Sequence, residues 1–162
     1  MSDATSSTTD NAVAIDIERF TLTLVREAPD AIIYADSEGV IRFWNHGAER
    51  VFGFAEGEAL GRPLDIIIPE RLRARHWAGY AATMRSGVTR YGAGEILAVP
   101  ATHKDGRRIS VEFTVLPFRD ETGRMTGIAA ILRDVTARFE EMRALRAQVS
   151  QTGQSPEITR GA

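Results

Sequence analysis

No cysteine occurs among the 162 residues. That absence excludes disulfides, zinc–thiolate sites, thiolate-ligated heme and cysteinyl-flavin photochemistry, each of which needs the sulfur. It is also a composition that a reducing cytosol permits. A strong charge of either sign is missing as well: 20 basic and 22 acidic side chains leave a net charge of -2, so no nucleic-acid partner is expected from bulk electrostatics. No stretch reaches the roughly 18 consecutive apolar residues of a membrane span. Residues 1–16 hold neither a basic cluster nor an apolar run. No signal peptide and no membrane partner are therefore expected, and the chain reads as cytoplasmic. Nucleophile elbow, phosphate-binding loop and kinase signature are all lacking. So is any His/Asp/Glu group at zinc-like spacing. The expectation is a protein that is not an enzyme.

What remains is enough for one core. The 43% hydrophobic content over this length fits a single domain with short flanks. Residues 1–10 are rich in Ser, Thr and Asp and are expected to be disordered. Over 11–28, Val13, Ile17, Phe20, Leu24 and Ala28 form the apolar stripe of an amphipathic helix, which Pro29 stops. Residues 31–35 and 40–44 read as two strands joined by the Ser37-Glu38-Gly39 turn. Asn45 is a suitable N-cap for a short helix over 46–51, and a further helical turn at 56–60 ends at Gly61. The string LDIII at 64–68 is too short and too close to proline to define an element.

The longest helix is expected over 69–87, from Pro69 with Glu70 in its first turn to Gly87 as terminator. Leu72, His76, Tyr80 and Thr83 share one of its faces, while Arg71, Arg73, Arg75 and Arg85 take mostly other angles and read as a solvated surface. One histidine is thus turned inward among apolar neighbours. A neutral imidazole on a rigid helix is a well-oriented axial ligand for iron, but an inward histidine is more commonly hydrogen-bonded to backbone. Tyr80 reads as a core tyrosine with its hydroxyl at the rim. Trp77 lies about 100° off that face and suits a helix edge or a dimer contact. His46 and His103 are expected to face solvent.

After Gly87 the period changes to two. A strand is expected over 96–99, limited by Pro100, followed by a tight turn at Lys104-Asp105-Gly106. A second strand alternates Ile109, Val111, Phe113 and Val115 with Ser110, Glu112 and Thr114. A turn at 120–123 leads to a last strand over 128–132. From Thr136 the chain is helical to 151. There Val135, Phe139, Met142, Leu145 (or Arg146) and Val149 repeat as a coiled-coil seam does. Residues 152–162 are expected to be disordered. The class is α+β, with one antiparallel sheet whose face is covered by the central helical segment. A small-ligand pocket is expected between the long helix and the sheet.

The strings EAPDAIIYADSEGVIRFWNHGAERVFGF, GRPLDIIIPE, KDGRRISVEF and GIAAILRDVTAR, in this order and spacing, resemble a PAS sensory domain over about residues 20–138. The resemblance implies a domain over 29–135 with a five-stranded antiparallel sheet in the order 2-1-5-4-3, helices on one face, and flanking N- and C-terminal helices. Within the family, IPERLRARH followed by GY and SG is similar to the long helix of the FixL-type heme-binding oxygen sensors. That likeness implies heme b with His76 as proximal iron ligand. It also implies an apolar distal side from Phe113 and Val115, a small residue at Ala130, and further lining by Tyr80, Leu97 and Leu132. The subtype's propionate-holding arginines are not matched: Ala82 and the vicinity of Glu95 or Ile96 stand at their positions, and Arg90 is the substitute the sequence offers.

Two functions follow as expectations. One is a heme sensor of O2, CO, NO or redox state that signals through the C-terminal helix, with peroxidase-like activity only incidental. The other is a cofactor-free or small-metabolite-binding interaction module. Noncovalent flavin or an apolar metabolite ranks below heme as a cofactor. Either way a homodimer through the terminal helices and a signalling partner in trans are expected.

Overall fold

The computed structural model describes residues 15–89 and 95–152. Arg90, Val13, residues 1–10 and residues 153–162 lie outside the described residues, while Thr152, expected in the tail, ends the last helix. Along the chain come α1 (Ile17–Glu27), β1 (Ala31–Asp36), β2 (Ile41–Trp44), α2 (His46–Phe52), α3 (Glu56–Ala59), a 3₁₀ turn (Leu64–Ile66), α4 (Glu70–Ser86), β3 (Leu97–Thr102), β4 (Arg108–Arg119), β5 (Met125–Asp134) and α5 (Thr136–Thr152). The five strands form one antiparallel sheet in the order β2-β1-β5-β4-β3, as the resemblance implied.

Local chemistry sets most of the boundaries. α1 starts at Ile17, where the Asp16 carboxylate accepts from the Arg19 N–H at 3.1 Å and caps the first turn; residues 11–14 of the expected helix lie outside the described residues. α4 ends where Gly87 takes φ +68° and returns its N–H to the Thr83 carbonyl. The strands run longer than their apolar cores. β4 and β5 pair from Val111↔Asp134 to Arg119↔Met125, since two long neighbours satisfy each other's backbone whatever their side chains. β3 passes through Pro100 to Thr102 instead of stopping before it. It is the edge strand, where a missing N–H costs least. LDIII contributes the 3₁₀ turn.

The sheet's inner face carries Ala31, Ile33, Ile109, Val111 and Leu132. They meet Trp44, Phe52, Ala48, Ala59 and Ile67 from β2 and the helical side in one core, with Phe113 and Ala130 packed at its margin. Asn45 is the one buried polar side chain among the described core residues. Its Oδ1 accepts from the Ile32 and Ala48 N–H groups, both at 2.8 Å, so it caps α2 as expected. Its Nδ2 reaches further, donating to the carbonyls of Val25 and Asp30 at 3.0 Å. One amide thereby joins α1, β1 and α2.

Both sheet edges are engaged in part. Beyond β2, the Ile41 N–H donates to Arg62 O and the Gly61 N–H to Ile41 O, each at 2.9 Å, and Val40 bridges Pro63. Beside β3, the Thr102 N–H donates to Ile67 O at 2.9 Å. The outer face stays apolar and open, with Leu116, Phe118 and Ile131 exposed and Phe118 edge-on to Tyr34. α1 buries none of its residues. On α5, Phe139, Met142, Leu145 and Val149 are all exposed.

Candidate functional site

α4 is fixed at three points. At its start, Arg73 Nε donates to Ile68 O at 3.2 Å and Arg73 Nη2 to Asp65 O at 3.1 Å, tying the first turn to the 3₁₀ turn. In its middle, the Tyr80 hydroxyl faces Asp36 O at 2.6 Å and Ala35 O at 3.1 Å, so the helix is pinned to the end of β1. At its end, an Arg119 guanidinium nitrogen donates to the Gly87 carbonyl, offsetting the negative pole of the helix.

His76 sits between the first two points. Its Nδ1 is fully buried and has no hydrogen-bond partner. Burial holds its pKa below the ordinary value, partly offset by the Asp65 carboxylate, which favours the neutral ring, the form that binds metals. Its neighbours are aromatic: Trp77 at 5.0 Å and Tyr80 at 5.8 Å between ring centroids. Tyr80 is a core residue, and its hydroxyl ends on backbone carbonyls rather than at an open rim. Burial, with lesser contributions from Asp36 and Tyr34, pushes that phenol well above its usual value. Trp77 lies at a helix edge, as one of the two expected placements had it. Its Nε1–H donates to Asp65 Oδ1 at 2.7 Å.

The remaining expected lining residues divide. Phe113, Ala130 and Leu132 belong to the inner-face core or its margin. Val115, expected in the core, is only half-buried and outside the cluster, because α4 packs on β5 more than on β4. Leu97 is half-buried on edge strand β3, opposite Phe113. Two shallow clefts are open on the surface. One of about 450 Å³ lies along α1, and one of about 200 Å³ is lined by Ile96, Phe113, Leu132 and neighbours from β4 and β5. Neither includes His76 in its lining. His46 faces solvent as expected, paired with Glu27 at 3.1 Å. His103 does not: its side chain is only 14% exposed and its ring lies against Gly53, where a Cβ would come to 2.5 Å. Among the described residues no group of three or more His, Cys, Asp or Glu could hold a metal ion, and no helix is long and apolar enough to cross a membrane.

Among the described residues, the iron side of a heme site fits at His76 and the propionate position at Ala82 does not; Arg90 lies outside the described residues. A neutral imidazole in an aromatic surround suits a single axial ligand, and with Nδ1 enclosed by protein its Nε2 is the nitrogen that an iron would take. Ala82 is exposed and offers no donor. Sequence reasoning missed Asp65, Gly39 and the Asn45 reach to α1. It also missed the bidentate Asp30–Arg133 pair at 2.6 and 3.0 Å. The turn signal at 37–39 was legible, but not what packs on it, and the 3₁₀ turn at Leu64–Ile66 was not assigned from the sequence.

Comparison with known proteins agrees with this architecture. A protein of Azorhizobium caulinodans is 33% identical over 117 residues, covering 72% of this chain and 16% of its own length. The sensor protein FixL of Bradyrhizobium diazoefficiens is 27% identical over 135 residues, covering 80% of this chain and 26% of its own length. The chain therefore spans about a quarter or less of either relative. Among solved structures, the PAS domain of a Colwellia psychrerythraea protein superposes with a TM-score of 0.65 at 24% identity, over 75% of this chain and 99% of that one. The profile of the family described as the PAS fold matches residues 25–140. With the 2-1-5-4-3 sheet, the helical cover and the flanking helices in place, this chain belongs to the PAS family of sensory domains.

Proposed function

We propose that this PAS domain is a heme-b sensor module in which His76 holds the iron. The observation that supports the reading is the His76 imidazole: shifted toward its neutral form by burial, with Nδ1 enclosed and unpartnered, on a helix fixed at three points, which leaves Nε2 for the iron. Bound heme supplies an iron that takes O2, CO or NO as a further ligand. The chain's own part is to orient the imidazole, keep it dry, and present Phe113 and Ala130 from the sheet. Ala130 lies on β5, which runs unbroken to Asp134. The Asp134 carboxylate accepts from the Thr136 N–H at 2.8 Å, and Thr136 Oγ1 accepts from the Ser110 N–H at 2.9 Å. A displacement of β5 or β4 is thereby delivered to the start of α5 and onward to a signalling partner. The test is an ultraviolet–visible spectrum after reconstitution with hemin, before and after dithionite and CO. A Soret band that shifts with CO and is lost in His76→Ala supports the reading. A protein that stays colourless refutes it.

A second reading is favoured by a different observation. The apolar residues of α1 and the seam of α5 lie on the surface, as in a cofactor-free module that works by homodimerising through its terminal helices. Sedimentation at micromolar concentration tests the dimer that this reading needs, and the absorption spectrum separates the two, since this reading needs no chromophore.

A further inference from the structure

A histidine that holds a metal is ordinarily oriented by a hydrogen bond from its second ring nitrogen. His76 lacks one at Nδ1, which is buried without a partner. Something else must fix the ring, and the residues around it show what. The Trp77 ring meets the His76 ring edge-on, at 77° between planes. Trp77 is itself immobilised twice. Its Nε1–H is bonded to Asp65 Oδ1 at 2.7 Å, and Asp65 is held by the Arg73 hydrogen bond to its carbonyl, with the Arg73 Nε 3.9 Å from the carboxylate. Its six-membered ring rests on Gly39. A Cβ there would stand 2.2 Å from Cζ3 and 2.4 Å from Cη2, and the φ of +77° already favours glycine. Tyr80 closes the other side, edge-on to Trp77 with centroids 5.7 Å apart, its hydroxyl fixed to β1.

We infer that Trp77, anchored by Asp65 and seated on Gly39, is the positioning residue that orients the His76 imidazole in place of a hydrogen bond. Packing between anchored rings restricts the ring torsions as a hydrogen bond would. It also couples the ligand-holding ring to the β1–β2 turn, an element separate in sequence from α4. This inference deepens the heme reading, and its first readout needs no heme.

The experiment measures the mobility of the three histidine rings by carbon-13 relaxation in ligand-free protein, for wild type, Trp77→Leu, Asp65→Leu and Asp65→Asn. In wild type the His76 ring is expected to be as ordered as the backbone. Trp77→Leu and Asp65→Leu are expected to lower its order parameter while His46 and His103 keep theirs. Asp65→Asn, which retains an oxygen acceptor for the indole N–H, is expected to stay near wild type. In hemin-loaded protein the two leucine variants are expected to release hemin about 10- to 100-fold faster, the scale for loss of an orienting neighbour. An unchanged His76 order parameter in Asp65→Leu and Trp77→Leu overturns the assignment. So does an equal loss of order at all three histidines, which marks general loosening. A protein that takes up no hemin refutes the heme reading, while the ring measurement still decides this one.

Discussion

Replacing Asn45 with alanine tests how the flanking helix is joined to the domain. The Asn45 side chain makes two hydrogen bonds at 2.8 Å through its oxygen and two at 3.0 Å through its nitrogen. The residue is 1% exposed, so water does not freely replace them. Each such bond contributes about 1 kcal/mol net, and a buried donor left unpaired costs somewhat more. The four share one side chain and are not independent. Asn45→Ala is therefore expected to lose about 3–4 kcal/mol, a large fraction of the ~5–15 kcal/mol of a typical domain. Asn45→Asp discriminates further. It keeps both accepted bonds, including the α2 cap, but sets a carboxylate against the Val25 and Asp30 carbonyls, so it is expected to be at least as destabilising near neutral pH. Urea unfolding followed by circular dichroism gives both values, with an unchanged denaturant slope expected. A loss below about 1 kcal/mol for Asn45→Ala would show that the four bonds are readily replaced, and would refute the reasoning.

The Tyr80 phenol, pushed up by burial, contributes stability that is fully present below the unfolded value of about 10 and is lost as pH rises from there toward the folded value. Wild type is thus expected to lose stability above about pH 10, and Tyr80→Phe to show a flatter alkaline limb and a loss of about 1–2 kcal/mol at neutral pH; unfolding measured from pH 7 to 11 checks both. Phe139→Glu on the exposed α5 seam is expected to abolish self-association without altering the fold. A dimer that survives this change in sedimentation would place the contact elsewhere.

Much of this was legible in the sequence, for identifiable reasons. Asn45 announced the start of α2 because capping is a local signal, and Gly87 announced the end of α4 in the same way. The inward placement of His76 and Tyr80 followed from helical spacing. What spacing could not give was the far end of each contact. Nothing near Trp77 in the chain says that its indole rests on Gly39, 38 positions earlier, or that Asp65 receives its N–H. His103 looked like a turn residue in solvent because its turn is polar, and only the approach of α2 buries it. Val115 looked like core because its strand alternates, but alternation names a face and not what covers it. The strand order came from the family resemblance alone, since propensity is silent about which strands become neighbours.

The interrupted edges of the sheet limit how two copies can meet. Growth by adding a strand needs a row of free donors and acceptors, and among the described residues each margin is broken at one or more positions. Beside β2 the chain folds back and uses the groups of Ile41 itself. On β3 the proline at position 100 interrupts the row of donors, and Thr102 is already engaged. This is the protection that sheet proteins need against runaway end-to-end polymerisation. It also means that the domain can display bare hydrophobic surface on α1, α5 and the outer sheet while directing association to faces rather than margins. A pair built that way meets through side chains, and a signal passing through it can be set by the angle between two bodies.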